Sequence, residues 1–286
     1  MSKPAAQISN KVNGVGRRVH GAATSPGMVL LARCGYAAKG LVYVIIGILA
    51  VQLAFGLGGS AIDQRGALQT LSEQPFGKYM LIIVAVGLLL YAIWSFIQAI
   101  FDTERKGKQA KGIVARLGYA GVGISYGLLA WGSFQVIAGS GTGSKNSTAS
   151  AQDWTATLLK QPFGVGLVVV LGLIVLAIAG ALFAKAYKAK FQYRLNLTNV
   201  RASLRKVLVN LGRAGYTSLG VVFVIVGIFF IVAAVQHNAT EAKGLDSALL
   251  TLAQQPFGQF LLAIVALGLV AYGIYSFVEA RYRRLG

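Results

Sequence analysis

Ionisable side chains inside apolar stretches are the usual carriers of ion paths and proton relays, and this chain has few. Lys39 and Glu279 are the two to weigh. Lys39 is six residues past Arg33, about 9 Å of helix rise, so its ammonium is expected to snorkel to a membrane surface. Glu279 ends the last apolar run beside Arg281, and an interfacial pair between them is expected. Three amides carry a sharper pattern. Gln74, Gln161 and Gln255 each precede a proline (Pro75, Pro162, Pro256) in the string Thr-Leu-x-x-Gln-Pro-Phe-Gly, at Thr70–Gly77, Thr157–Gly164 and Thr251–Gly258. Such a string reads as a structural corner copied by duplication; a ring of amides around an outer opening is the functional alternative. Arg33, Arg116 and Arg213 recur in Arg-x-Gly-Tyr, as inner anchors or as an inner mouth. Catalytic constellations are missing. There are two histidines, His20 and His237, one cysteine, Cys34, and no phosphate-cradling loop. No enzyme, no cofactor and no metal site are expected.

The elements that must position these residues follow from composition. Charged residues are 12% of the chain, 56% is hydrophobic and the mean hydropathy is +0.65, outside the soluble range. Six apolar runs of membrane-spanning length stand out: Gly35–Phe55, Tyr79–Phe101, Gly118–Ala138, Val165–Phe183, Gly215–Val235 and Phe260–Val278, each about 30 Å long as a helix. The net charge is +19, yet its placement argues against nucleic acid. In a six-helix topology 21 of the 27 basic residues fall on the side of both termini, which the positive-inside rule assigns to the cytoplasm. The N-terminus lacks the pattern of a cleavable signal.

Each repeat therefore holds two spanning helices joined by a short surface segment. Asp63, Asp153 and Asp246 stand as helix N-caps before the joints. The proline forces the preceding glutamine out of helical geometry and fits the first turn of the next helix. The second helices of repeats one and three share Gly-Leu-x-x-Tyr-x-x-x-Ser-Phe, from Gly87 to Phe96 and from Gly268 to Phe277. The middle copy reads two residues shorter, with Leu176 for the tyrosine and Gly180 for the serine, so a threefold-symmetric site on these helices is not expected. The fold class is all-α transmembrane: a six-helix bundle of three parallel two-helix repeats, with a pseudo-threefold axis along the membrane normal.

The segments divide as a basic, flexible N-terminal stretch 1–28, repeat one at 29–105, repeat two at 106–190, a basic amphipathic segment 191–212, and repeat three at 213–286. Within 191–212, Leu204, Val207, Leu208 and Leu211 form an apolar stripe opposite Arg201, Arg205 and Lys206, a pattern suited to anionic lipid headgroups. A protein partner's acidic surface is the other candidate on the cytoplasmic face. The Gly- and Ser-rich connection 139–152 reads as the most mobile outer segment.

This pattern of three two-helix repeats, with Gly-Tyr starts and Gln-Pro-Phe-Gly joints, resembles a bacterial integral-membrane family catalogued as domain of unknown function 1206. The resemblance covers about residues 30–284 and implies a multi-pass protein of the bacterial inner membrane; it implies no activity. Two functions are then open. The favoured one is a non-enzymatic scaffold or accessory component of the membrane. The other is a channel or passive transporter for a small neutral or anionic solute along the pseudo-threefold axis. Whether that axis is open or filled separates them.

Overall fold

The computed structural model describes residues 26–103, 107, 109–139, 146–198 and 200–283; most of the N-terminal stretch 1–28 and the centre of the 139–152 connection lie outside them. Six helices are long and apolar enough to cross a bilayer: α1 (Pro26–Ala54), α3 (Gly77–Phe101), α4 (Ala110–Ile137), α6 (Gly164–Lys188), α7 (Ala202–Val235) and α9 (Gly258–Tyr282). Between the members of each pair lies a shorter surface helix: α2 (Gln64–Ser72), α5 (Ser147–Leu159) and α8 (Leu245–Ala253). The protein is a multi-pass membrane protein of three helical repeats. The joints lie on one face, here the joint face; the described chain ends lie on the other, the terminal face.

The joints have one conformation three times over. In each, the glycine amide donates to the glutamine carbonyl three residues back, at 2.7, 2.9 and 2.7 Å. Phe76, Phe163 and Phe257 sit between them at φ 62°, 62° and 59°. This is a type II turn with proline at its first central position and phenylalanine in the left-handed region at its second. Proline thus belongs to the turn and not to the next helix's first turn. A side chain in that backbone region costs about 1–2 kcal/mol, and it turns each ring outward: the three phenylalanines are 80–90% exposed. The following glycines are fixed by space. A Cβ on Gly77, Gly164 or Gly258 would meet a carbonyl oxygen at 2.4, 2.3 or 2.1 Å.

Of the three aspartates expected as caps, only Asp63 is one, accepting from the Gly66 amide. Asn146 caps α5, which leaves Asp153 inside that helix, and Asp246 lies in the first turn of α8. The difference has a use. Asp63 accepts from the Ser147 amide, while Asp246 accepts from the Ser147 and Thr148 hydroxyls and the Asn146 amide. Carboxylates of repeats one and three therefore clasp the positive end of α5 from repeat two.

Packing of the spanning helices follows the repeats cyclically. Each first helix packs on the second helix of the preceding repeat: α4 on α3, α7 on α6, and α1 on α9. At these contacts Gly123 meets the ring of Phe96, Gly220 that of Phe183, and Gly40 that of Phe277. Each phenylalanine stands twenty-one residues after its joint proline. The middle second helix is therefore in register and not two residues short; α3, α6 and α9 have 25 residues each. Its counterparts of Tyr91 and Tyr272 are then Ile178, and of Gly87 and Gly268, Ile174.

Within a repeat the pattern breaks. Helices α1 and α3 pack together, as do α7 and α9, but among the described residues no comparable packing joins α4 and α6. The cause is readable at Gly35 and Gly215, where a Cβ would meet the backbone of Tyr91 or Tyr272 at 2.6–2.7 Å. Their counterpart Gly118 has nothing within 4 Å, and Ile174 and Ile178 are exposed. An isoleucine stands where Gly87 and Gly268 admit a close neighbour, and the close approach is missing there. One link, that within repeat two, is thus open.

The segment 191–212 is also not an independent surface helix. Its first part is a short 3₁₀ turn, Lys190–Arg194, with Phe191, Leu195 and Leu197 buried under the bundle. Its second part is the start of α7, one unbroken helix of 34 residues. No proline interrupts the sequence there, so the spanning helix continues through it. Arg201, Arg205 and Lys206 are exposed on that extension.

Candidate functional site

Lys39 does not snorkel, and Glu279 does not pair with Arg281. They pair with each other at 3.3 Å, with side chains 4% and 5% exposed. Helix α1 runs from the terminal face and α9 returns to it, so residues 240 positions apart meet at one level. The second oxygen of Glu279 accepts from Arg283 at 2.6 Å, one turn further along α9, while Arg281 is exposed. The carboxylate is therefore held by two cations. Such a group is retained in an apolar interior only when paired and hydrogen-bonded.

The pair is walled by tyrosines. The Lys39 ammonium lies 5.0, 5.4 and 5.1 Å from the ring centres of Tyr36, Tyr91 and Tyr272, and the Arg283 guanidinium 4.8 Å from that of Tyr36. The rings then meet one another edge to face. Tyr36 packs on Tyr91 at 5.2 Å, Tyr91 on Tyr126 at 4.7 Å, Tyr43 on Tyr272 at 4.8 Å, and Tyr272 on Tyr216 at 5.5 Å. Tyr275 and Phe191 extend the group toward the terminal face. On the other side the Tyr43 hydroxyl accepts from Gln64, in the first turn of α2. Seven tyrosines, all 9% exposed or less, occupy the middle of the bundle. Each edge-to-face pair contributes about 0.5–1.5 kcal/mol beyond burial, and a desolvated cation over a ring about 2 kcal/mol.

Counting from the joint prolines uncovers a relation that the shifted alignment hides. Gln98, Lys185 and Glu279 each stand twenty-three residues after Pro75, Pro162 and Pro256. One position of the repeat carries an amide, an ammonium and a carboxylate. Gln98 is buried, and the Lys185 ammonium lies 4.7 Å from the Tyr216 ring centre. That offset was the available sequence signal. Nothing local pointed from Lys39 to Glu279.

The residues singled out by sequence alone are less gathered. Gln74, Gln161 and Gln255 are exposed; their carbonyls close the turns, and the Gln255 amide donates to Thr251 in its own repeat. Pro75, Pro162 and Pro256 are the turn residues described above. Arg33 and Arg213 are exposed, whereas Arg116 donates to the Ala99 and Ile100 carbonyls at the end of α3, satisfying groups the helix leaves open.

The family model for domain of unknown function 1206 matches three times, at residues 34–102, 117–189 and 214–283, which are the three repeats. The chain belongs to this family. The family's relatives include an uncharacterised protein, YxxB, of Bacillus subtilis (strain 168), 35% identical over 262 residues, 92% of this chain and 94% of that one. No solved structure matches. Within the family's repeat, the cluster draws its charge pair from repeats one and three and its tyrosines from all three.

Proposed function

We propose that the protein is a non-enzymatic scaffold or accessory component of the bacterial cytoplasmic membrane, with both termini in the cytoplasm. One observation carries the reading. The space a permeation path would need, between α1, α3, α4, α7 and α9, is occupied by interlocked tyrosines around the Lys39–Glu279 pair. A path for a neutral or anionic solute would have to separate rings in contact and break a buried ion pair with every passage. A rigid polar centre fixes instead which helices meet, and so holds a defined surface toward the membrane and the cytoplasm.

That surface is basic. Exposed Arg201, Arg205 and Lys206, with the other terminal-face cations, suit anionic lipid headgroups or the acidic surface of a soluble protein. The concentration of basic residues there supports its cytoplasmic placement. The test is flux through proteoliposomes, read by stopped-flow light scattering with glycerol, urea and small anions. Rates equal to those of empty liposomes are expected. A solute-selective flux that falls in Tyr126→Trp would overturn the proposal in favour of a pathway.

A further inference from the structure

Helices α4 and α6 are the least buried of the six, because the face each would give the other is open. The opening has definite ends. On the joint face, α5 is held by the Asp63 and Asp246 clasp. On the terminal face, Arg194 follows α6 and donates to the Tyr119 hydroxyl of α4 at 3.4 Å. In between, the walls include Ile174 and Ile178 of α6 and the bare backbone at Gly118 and Gly121 of α4, where an added Cβ meets nothing within 4 Å.

The cations of α6 and of the turn after it gather at the terminal-face end. Lys185 reaches over Tyr216 at that end, with Arg194, Lys188 and Lys190 around the turn below it. From Trp154 to Thr240 the sequence contains no acidic residue. The whole of α6, the turn after it and α7 therefore supply cations and no carboxylate. A slot with apolar walls and a cationic floor has the charge and hydropathy profile of an anionic phospholipid.

We infer that the opening between α4 and α6 is a binding site for one anionic phospholipid, its phosphate at Lys185 and Arg194 and an acyl chain between the two helices. Zwitterionic lipids offer a phosphate with its charge offset and bind more weakly. This site does not depend on the scaffold reading; a bundle that conducts could hold the same lipid.

The test is native mass spectrometry of the full chain released from detergent, titrated with phosphatidylglycerol or phosphatidylcholine of the same chains. One retained phosphatidylglycerol per protein is expected. Two cations near an anionic headgroup are worth about thirtyfold in affinity, so K185Q/R194Q should lose about that factor while K188Q/K190Q keeps the lipid. G118L supplies the steric arm. It fills the slot without altering charge, and since the position is open it should fold normally, yet it should also lose the lipid. Equal retention of the two lipids, or full retention in both K185Q/R194Q and G118L, overturns the assignment. So does a dimer or a co-purified partner helix that leaves no lipid on the protein, because the slot then belongs to a helix.

Discussion

The asymmetry of the buried ion cluster makes a prediction that sequence separation alone would not suggest. Glu279 faces two cations, Lys39 at 3.3 Å and Arg283 at 2.6 Å, whereas Lys39 has one carboxylate and three rings. Glu279→Gln leaves both cations without a counter-charge, and breaking a buried pair in this way costs about 3–5 kcal/mol. Lys39→Met removes one ion pair and the ring contacts, but Glu279 keeps Arg283 and methionine fills similar volume. That loss should be near the roughly 2 kcal/mol of a desolvated cation–ring interaction. The double variant should be no worse than Glu279→Gln alone, a coupling of about 0.5–3 kcal/mol. Thermal unfolding in one detergent reads all three proteins. At about 2–4 °C per kcal/mol, the midpoint should fall by about 10 °C for Glu279→Gln and by about half of that for Lys39→Met. Additive losses, or a greater loss for Lys39→Met, would refute the view that one carboxylate organises the cluster.

Burial holds the Asp63 carboxyl above the usual carboxylate value, with Asp246 adding to the shift and the Gly66 and Ser147 donors opposing it. Its contribution to stability is therefore full below the ordinary carboxylate pKa and lost as pH rises through the raised one; Asp63→Asn should flatten that slope in melts from pH 3.5 to 7. Gly35→Ala should sharply reduce folded yield, since its Cβ meets the Tyr91 backbone at 2.7 Å, and Gly118→Ala should not; size-exclusion recovery separates them. Gly258→Ala should likewise fail at its joint, whereas Pro162→Ala, at a turn position that needs no amide bond, should cost about 1 kcal/mol in unfolding experiments. Reporter fusions in the 139–152 connection should report the side opposite both termini, and a cytoplasmic signal there would reverse the topology.

Much of the fold was legible because duplication repeats its signals. The six apolar runs, the paired helices and the joints can all be read from residues that recur at fixed offsets. The turn type was harder. Gln-Pro-Phe-Gly does not announce that the phenylalanine, with a full side chain, takes the left-handed conformation that glycine normally supplies; the carbonyl contacts that reserve glycine for the next position exist only in three dimensions. The open link in repeat two was half visible. The lost tyrosine was apparent, but gapping the helix by two residues put Leu176 and Gly180 where Ile178 and Leu182 belong, and so hid Lys185 as the counterpart of Glu279. The candidate site was the least legible part. Lys39 looked like a snorkelling residue because its partner arrives from the last helix, and no local pattern encodes a contact between the two ends of a chain.

The central claim is that the middle of the bundle is closed. Four serines are buried on different helices: Ser95 on α3, Ser133 on α4, Ser218 on α7 and Ser276 on α9, each 6% exposed or less. Cysteine is nearly the same size, so single Ser→Cys changes in a Cys34→Ser background place a thiol there with little disturbance. Labelling these variants in membranes with a charged methanethiosulfonate should leave all four unmodified over the time in which native, exposed Cys34 reacts to completion. Reaction at Ser133→Cys and Ser276→Cys as fast as at Cys34 would mean that water crosses the tyrosine cluster, and the account of a filled interior would be wrong.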